Sequence, residues 1–391
     1  MINYENLLSS KVKSIKPSGI RRFFDIAAEM DDVISLGVGE PDFKTPWEIR
    51  DAGIHSLEKG KTWYTANAGL MELKAEISAY LKRRFALEYD HKQEVLVTVG
   101  GSEGIDICIR ALVNPGDEVI IPEPCYVSYS PIAELTGATV VAIPTKAENA
   151  FRLTADELKA AITPKTKLLI LPFPNNPTGA VMRREHMEAI AEVLRGTNIM
   201  VLSDEIYAEL TYGSERHISF PEIEGMKERT ILINGFSKSY AMTGWRLGYA
   251  CGPAMIISQM TKIHQFAIMC APTTSQYGGV IALRNCDEQV ALMCGEYDMR
   301  RRLLVSELNK IGLTCFNPEG AFYVFPSIAI TGLSSDEFCE KLLYSKKVAV
   351  IPGTAFGDCG EGFVRISYSY SINHLMEAIR RIEEFIKELK N

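Results

Sequence analysis

Residues 235–250 read GFSKSYAMTGWRLGYA, and a short run before them, Thr230-Ile231-Leu232-Ile233-Asn234, is apolar and β-branched. Such a run suits a buried strand. A strand that opens into a glycine-containing loop is where α/β proteins place chemistry. Lys238 stands at that point. It is either a solvated surface charge, the usual fate of lysine, or a nucleophile that adds to an aldehyde. The rest of the chain decides between them.

Working outward, strand-like segments alternate with helix-like ones. The strand candidates are Glu94–Val99, Glu118–Pro122, Thr139–Ile143, Lys167–Leu171, Ile199–Ser203 and Thr230–Asn234. Amphipathic stretches of helical length, such as Ser102–Val113 and Arg184–Arg195, lie between them. This alternation predicts a mainly parallel sheet covered by helices on both faces. From about Cys286 the pattern changes. A long helix over Gln289–Ile311 precedes strands near Thr314–Phe316, Phe322–Phe325, Val348–Ile351 and Phe363–Ser367. A last helix, Asn373 to Lys390, carries Ile379, Ile382, Phe385, Ile386 and Leu389 on one stripe. The expected organisation is a large α/β domain over 46–285. A smaller α+β domain is built from 1–45 and 286–391.

The chain has 391 residues, enough for more than one domain. Its formal net charge is −7 and it has no basic block, which argues against nucleic acid and anionic membrane as partners. It contains no apolar run of bilayer length and no signal core, so a cytosolic protein is expected. The nine cysteines are scattered, with no C-x-x-C, and read as reduced thiols. The six histidines show no ligand spacing, so no metal site is expected.

Five predicted strand ends carry unusual residues. Val97-Thr98-Val99 runs into Gly100-Gly101-Ser102-Glu103-Gly104 and a helix; this is an anion-binding turn or simply a tight one. Leu171–Gly179 reads LPFPNNPTG, where Asn176 either holds a ligand oxygen or serves a turn. Val201–Tyr207 ends a β-run in Asp204 and Glu205; such a carboxylate is a helix N-cap or a buried partner for a protonated ring nitrogen. Ser237 and Lys238 precede Arg246, and serine and arginine suit phosphate. Arg365 lies inside the apolar Phe363–Ser367 and must meet solvent or an anion.

Taken in this order, Gly-Ser, Asn-Pro-Thr-Gly, Asp-x-x-Tyr, Ser-Lys with Arg and a C-terminal Arg resemble the class I/II pyridoxal-phosphate aminotransferases. These enzymes are of fold-type I and similar to aspartate aminotransferase. The resemblance covers nearly the whole chain, and SKSYAMTGWRLG is its most specific piece. It implies that Lys238 holds pyridoxal 5'-phosphate as a Schiff base and then moves the substrate proton. Asp204 would pair with the pyridine nitrogen, and Tyr207 and Asn176 would bond the phenolic oxygen. Gly101, Ser102 and Glu103 would form the phosphate turn, helped by Ser237 and Arg246, with Glu103 giving only backbone. Tyr126 would stack on the ring. Tyr64 would reach the partner's phosphate, which implies a homodimer with shared sites. Arg365 would clamp the substrate α-carboxylate, with Gly39 contributing backbone on a closing segment. The Asn176–Pro177 bond should be cis.

The implied reaction is ping-pong transfer of an amino group from an L-amino acid to a 2-oxo acid. The donor stays open among aspartate, aromatic and alanine-like acids. Lys16-Pro17-Ser18-Gly19 resembles a segment near the substrate side chain in aspartate/prephenate enzymes, which makes Lys16 a candidate contact. Ile20 stands where those enzymes carry a threonine, which weakens the case for a dicarboxylate. A C–S β-lyase acting on cystathionine-like thioethers shares fold and cofactor, but Met242-Thr243-Gly244-Trp245-Arg246 looks aminotransferase-like. A regulator with an aminotransferase-like sensor would need an added DNA-binding domain, and a degenerate binding protein would have lost competent residues that are all present here.

Overall fold

The computed structural model describes residues 2–17, 19, 20, 26, 30–213 and 216–389. Its strands are β1 (Ile34–Ser35), β2 (Val95–Thr98), β3 (Glu118–Glu123), β4 (Thr139–Pro144), β5 (Thr166–Leu171) and β6 (Met200–Asp204). They continue with β7 (Thr230–Gly235), β8 (Gly248–Cys251), β9 (Tyr323–Val324), β10 (Val348–Ala349), β11 (Ile351–Pro352) and β12 (Val364–Ser367). Seven form one sheet in the order β2-β8-β7-β6-β5-β3-β4. All run parallel except β8, which is antiparallel to β2 and β7.

All six predicted strands of the middle are present within a residue or two. Burial on both faces explains their near-continuous apolar runs: Leu168–Leu171 and Ile231–Ile233 are fully buried. β8 was not anticipated, because Gly248-Tyr249-Ala250-Cys251 lacks β-branched residues and follows a glycine-rich loop. It returns antiparallel because no crossover helix separates it from β7.

The C-terminal part differs from expectation in three places. Thr314–Phe316 forms no strand; the Cys315 N–H donates to Asn309 Oδ1 at 3.1 Å instead of to a ladder. Val348–Ile351 divides between two small sheets, β10 pairing with β1 and β11 with β12. The last helix, Ile372–Leu389, buries Ile379, Ile382, Phe385 and Ile386 as expected, but Leu389 at its end is 37% exposed. Lys390 lies outside the described residues. The β1–β10 pairing ties the N-terminal segment to the C-terminal one.

Candidate active site

The carboxyl ends of β2, β5, β6 and β7 surround a cavity of about 430 Å³ that residues from β9, β12 and the 37–40 segment complete. Gly39, Gly101, Ser102, Tyr126, Asn176, Asp204, Tyr207, Ser237, Lys238, Arg246 and Arg365 all line it. Residues up to 326 apart are thus brought into one space by strand ends.

Lys238 follows β7 by three residues, and its Nζ donates to the Gly39 carbonyl at 2.6 Å. Its pKa is lowered to about 8. Burial is the main cause, opposed by Glu40 and reinforced by Arg365 and then Arg246. The amine is therefore far more available for proton transfer than an ordinary lysine. Asp204 is the last residue of β6 and is 6% exposed. Its Oδ2 accepts from the Tyr129 hydroxyl at 2.6 Å and its Oδ1 from the Ile206 N–H at 3.2 Å. Burial raises its pKa to about 6, with the Tyr129 bond working against the rise.

Arg365 sits in β12 and is 3% exposed. The solvent-facing reading of this arginine is therefore excluded. Its Nη1 donates to Asn176 Oδ1 at 2.9 Å and its Nη2 to the Gly37 carbonyl. The guanidinium lies 4.5 Å from the Tyr323 ring centroid and 4.8 Å from that of Phe356. The Tyr207 and Tyr323 hydroxyls meet at 2.9 Å. The Asn176–Pro177 bond is cis.

The turn after β2 is built for close approach. Gly100 has φ +74°, and a Cβ there would lie 2.6 Å from the Arg246 guanidinium. A Cβ on Gly248 would lie 2.6 Å from the Gly100 carbonyl carbon. The helix Gly100–Leu112 starts with no side-chain cap, so its first N–H groups and its dipole are free to meet an anion. The Glu103 carboxylate is turned away from the cavity. It accepts from the Val99 N–H at 2.5 Å and pairs with His264 Nδ1 at 2.6 Å.

Tyr64, expected to reach a partner's phosphate rather than this chain's, is 76% exposed and outside this cavity. Lys16 is exposed and also outside it, whereas Ile20 lines the wall. Ser18 lies outside the described residues. Reading the sequence missed Tyr129, Tyr323, Glu40 and Thr243, which all line the cavity. Tyr129 had a faint signal, three residues beyond Tyr126. Tyr323 had none, since it lies in an aromatic run that reads as core.

A buried amine of lowered basicity, a buried carboxylate and a buried arginine around one cavity, on a mainly parallel sheet, define an enzyme that works on amino acids. The chain belongs to the family described as aminotransferase class I and II, whose model matches residues 31–382. The aspartate aminotransferase of Pyrococcus abyssi (strain GE5 / Orsay) is 46% identical to it, over 98% of this chain and 99% of its own. Aromatic-amino-acid aminotransferase 2 of Thermococcus litoralis is 43% identical over 98% of this chain and 99% of its own. The crystal structure of the aromatic aminotransferase from Pyrococcus horikoshii OT3 matches with a TM-score of 0.90 at 43% identity, covering 95% of this chain and 99% of that one. The protein is an aminotransferase, and the family and fold depend in general on pyridoxal phosphate. Nothing in these likenesses favours the C–S lyase.

Proposed function

We propose that the cavity takes pyridoxal 5'-phosphate and that the chain exchanges amino groups between L-amino acids and 2-oxo acids in two half-reactions. The observation that carries this reading is the convergence of Lys238, Asp204 and Arg365 on one cavity. Three features fit the group. The uncapped helix start and the side-chain-free Gly100 path suit a phosphate beside Arg246 and Ser237. Asp204 is a buried carboxylate that suits a protonated ring nitrogen. Arg365 Nε is buried without a partner, which suits an incoming carboxylate.

Gly101, Ser102, Ser237 and Arg246 would hold the phosphate, with Glu103 only supporting their turn. Tyr126 would stack on the ring, and Tyr207 and Asn176 would bond its oxygen. When bound, the cofactor supplies an electron sink for the carbanion at the substrate Cα. With its pKa lowered by burial to about 8, Lys238 gives up its proton more readily than an ordinary lysine and is placed to act as the base on the Cα–H. Arg365 grips the α-carboxylate, with the Gly39 backbone beside it, and so aims the Cα–H. Lys16 has no role in this reading.

The relatives' names bring aspartate and aromatic donors to this chain as candidates. Ile20 and Val38 on the wall favour an aromatic or apolar side chain. Among the described residues, the cations lining the cavity are Lys238, Arg246 and Arg365, each already engaged. Exposed Tyr64 supports a homodimer with shared sites. The β1–β10 pairing supports a small domain of 1–45 with 286–391 beside a large one of 46–285. A cytoplasmic location completes the proposal; among the described residues no helix is long and apolar enough to cross a membrane.

The test is an absorbance spectrum of the pure protein, followed as glutamate, aspartate, alanine, phenylalanine or cystathionine is added. Loss of the cofactor's visible band with one oxo acid released per site is expected, phenylalanine acting more efficiently than aspartate. No such band after cofactor is added refutes the site. Ammonia and pyruvate from cystathionine, without amino transfer, refute the reaction.

A further inference from the structure

The turn that leads from β2 into the helix Gly100–Leu112 contains two consecutive glycines, so it has almost no side chain of its own to hold it. Its register still decides where the Gly101 and Ser102 N–H groups point. One restraint is local: Thr98 Oγ1 donates to the Gly100 carbonyl at 2.9 Å. The other comes from one turn into the helix. The Glu103 carboxylate reaches back to the Val99 N–H at 2.5 Å, and its second oxygen meets His264 Nδ1 at 2.6 Å. His264 is fully buried on the helix Ala254–Ala267, a separate element packed on the first.

Two details separate this pair from an ordinary buried contact. A carboxylate in the first turn of a helix competes with any anion for the same positive end. Here it is turned away from the cavity, toward the Val99 N–H and the His264 ring. His264 Nε2, moreover, is buried without a hydrogen-bond partner. The protein accepts that cost, so the Nδ1 contact is the one polar bond the histidine serves.

We propose that Glu103 and His264 act together as a positioning strut: they fix the turn 99–102 and thereby set how tightly the enzyme grips a phosphate monoester. The inference rests on the reading of this turn as the cofactor's phosphate site. It extends that reading to a residue, His264, that lines no part of the cavity.

The test compares the full-length enzyme loaded with pyridoxal phosphate or with pyridoxal, which lacks the phosphate, by equilibrium dialysis. His264→Phe keeps a ring on the helix and loses the Nδ1 bond. Glu103→Ala removes the strut from the other side. Each should weaken pyridoxal phosphate about ten-fold, the scale of one hydrogen bond to a charged group, and leave pyridoxal unchanged. His264→Asn, whose amide N–H replaces Nδ1–H, should restore the phosphate preference. Equal weakening of both compounds, or an unchanged ratio, overturns the strut. A parent enzyme with no preference for the phosphate compound overturns the site reading itself. If His264→Phe does not fold, Glu103→Ala decides by the same ratio.

Discussion

Replacing Arg365 with lysine tests the carboxylate clamp most sharply, because the structure shows how many donors are at stake. A guanidinium has five N–H groups. One is given to Asn176 Oδ1 and one to the Gly37 carbonyl, while Nε has no partner. Three therefore remain, enough to take a carboxylate on two parallel bonds. An ammonium has three donors at a single point and cannot keep Asn176, Gly37 and a two-pronged grip together. It also loses the stacking between Tyr323 and Phe356. One lost charge-assisted bond costs about 1.5–3 kcal/mol, and the lost ring contacts about 1 kcal/mol. The sum, roughly 2.5–4 kcal/mol, is a fall of roughly 70- to 900-fold in kcat/KM. The assay is the donor half-reaction across a range of amino acid concentrations, with the cofactor's absorption as a check that loading is intact. A change smaller than about threefold would refute the clamp. A large fall matched by loss of cofactor would place Arg365 in the wrong role.

Lys238→Ala should abolish turnover while cofactor still binds without a covalent link; release of the cofactor on dialysis without denaturation, next to retention by the parent, checks it, and full activity would sink the mechanism. Asp204→Asn should stabilise the cofactor-free protein at neutral pH. The folded pKa of Asp204 is raised to about 6, so the carboxyl favours folding below about pH 4 and that contribution is lost as pH rises through 6. The variant's advantage should accordingly be largest above pH 6, at most about 3 kcal/mol, and vanish near pH 4 in urea melts; the same substitution should weaken cofactor binding. Gly248→Ala places a Cβ 2.6 Å from the Gly100 carbonyl carbon and 2.7 Å from Gly101 N. The phosphate turn must then shift, and dialysis should show cofactor affinity falling more than about ten-fold.

How much the sequence disclosed varies by element, for physical reasons. β5 and β7 were legible because a strand buried on both faces must be a continuous apolar run. Gly-Ser, Asn-Pro-Thr-Gly, Asp-x-x-Tyr and Ser-Lys were legible because each closes such a run, where side chains of fixed type are required. β8 was not, since its pairing comes from neighbours on both sides rather than from its own four residues. Tyr129 and Tyr323 were not, since an aromatic bonding Asp204 or stacking on Arg365 looks like any core aromatic until the chain is folded. Lys16 read as a contact, yet its segment leaves Ile20 at the wall instead.

By itself the sequence determined the chemical inventory and its order along the chain: one lysine, one strand-end aspartate, an asparagine before proline and an arginine in an apolar strand. It also determined the parallel sheet, through the alternation of buried runs and helices. Only the tertiary structure decided what those groups are. Burial, a property of no single residue, brings Lys238 down to about 8 and Asp204 up to about 6. Packing between distant elements turns the Glu103 carboxylate toward His264 and leaves Arg365 with donors to spare.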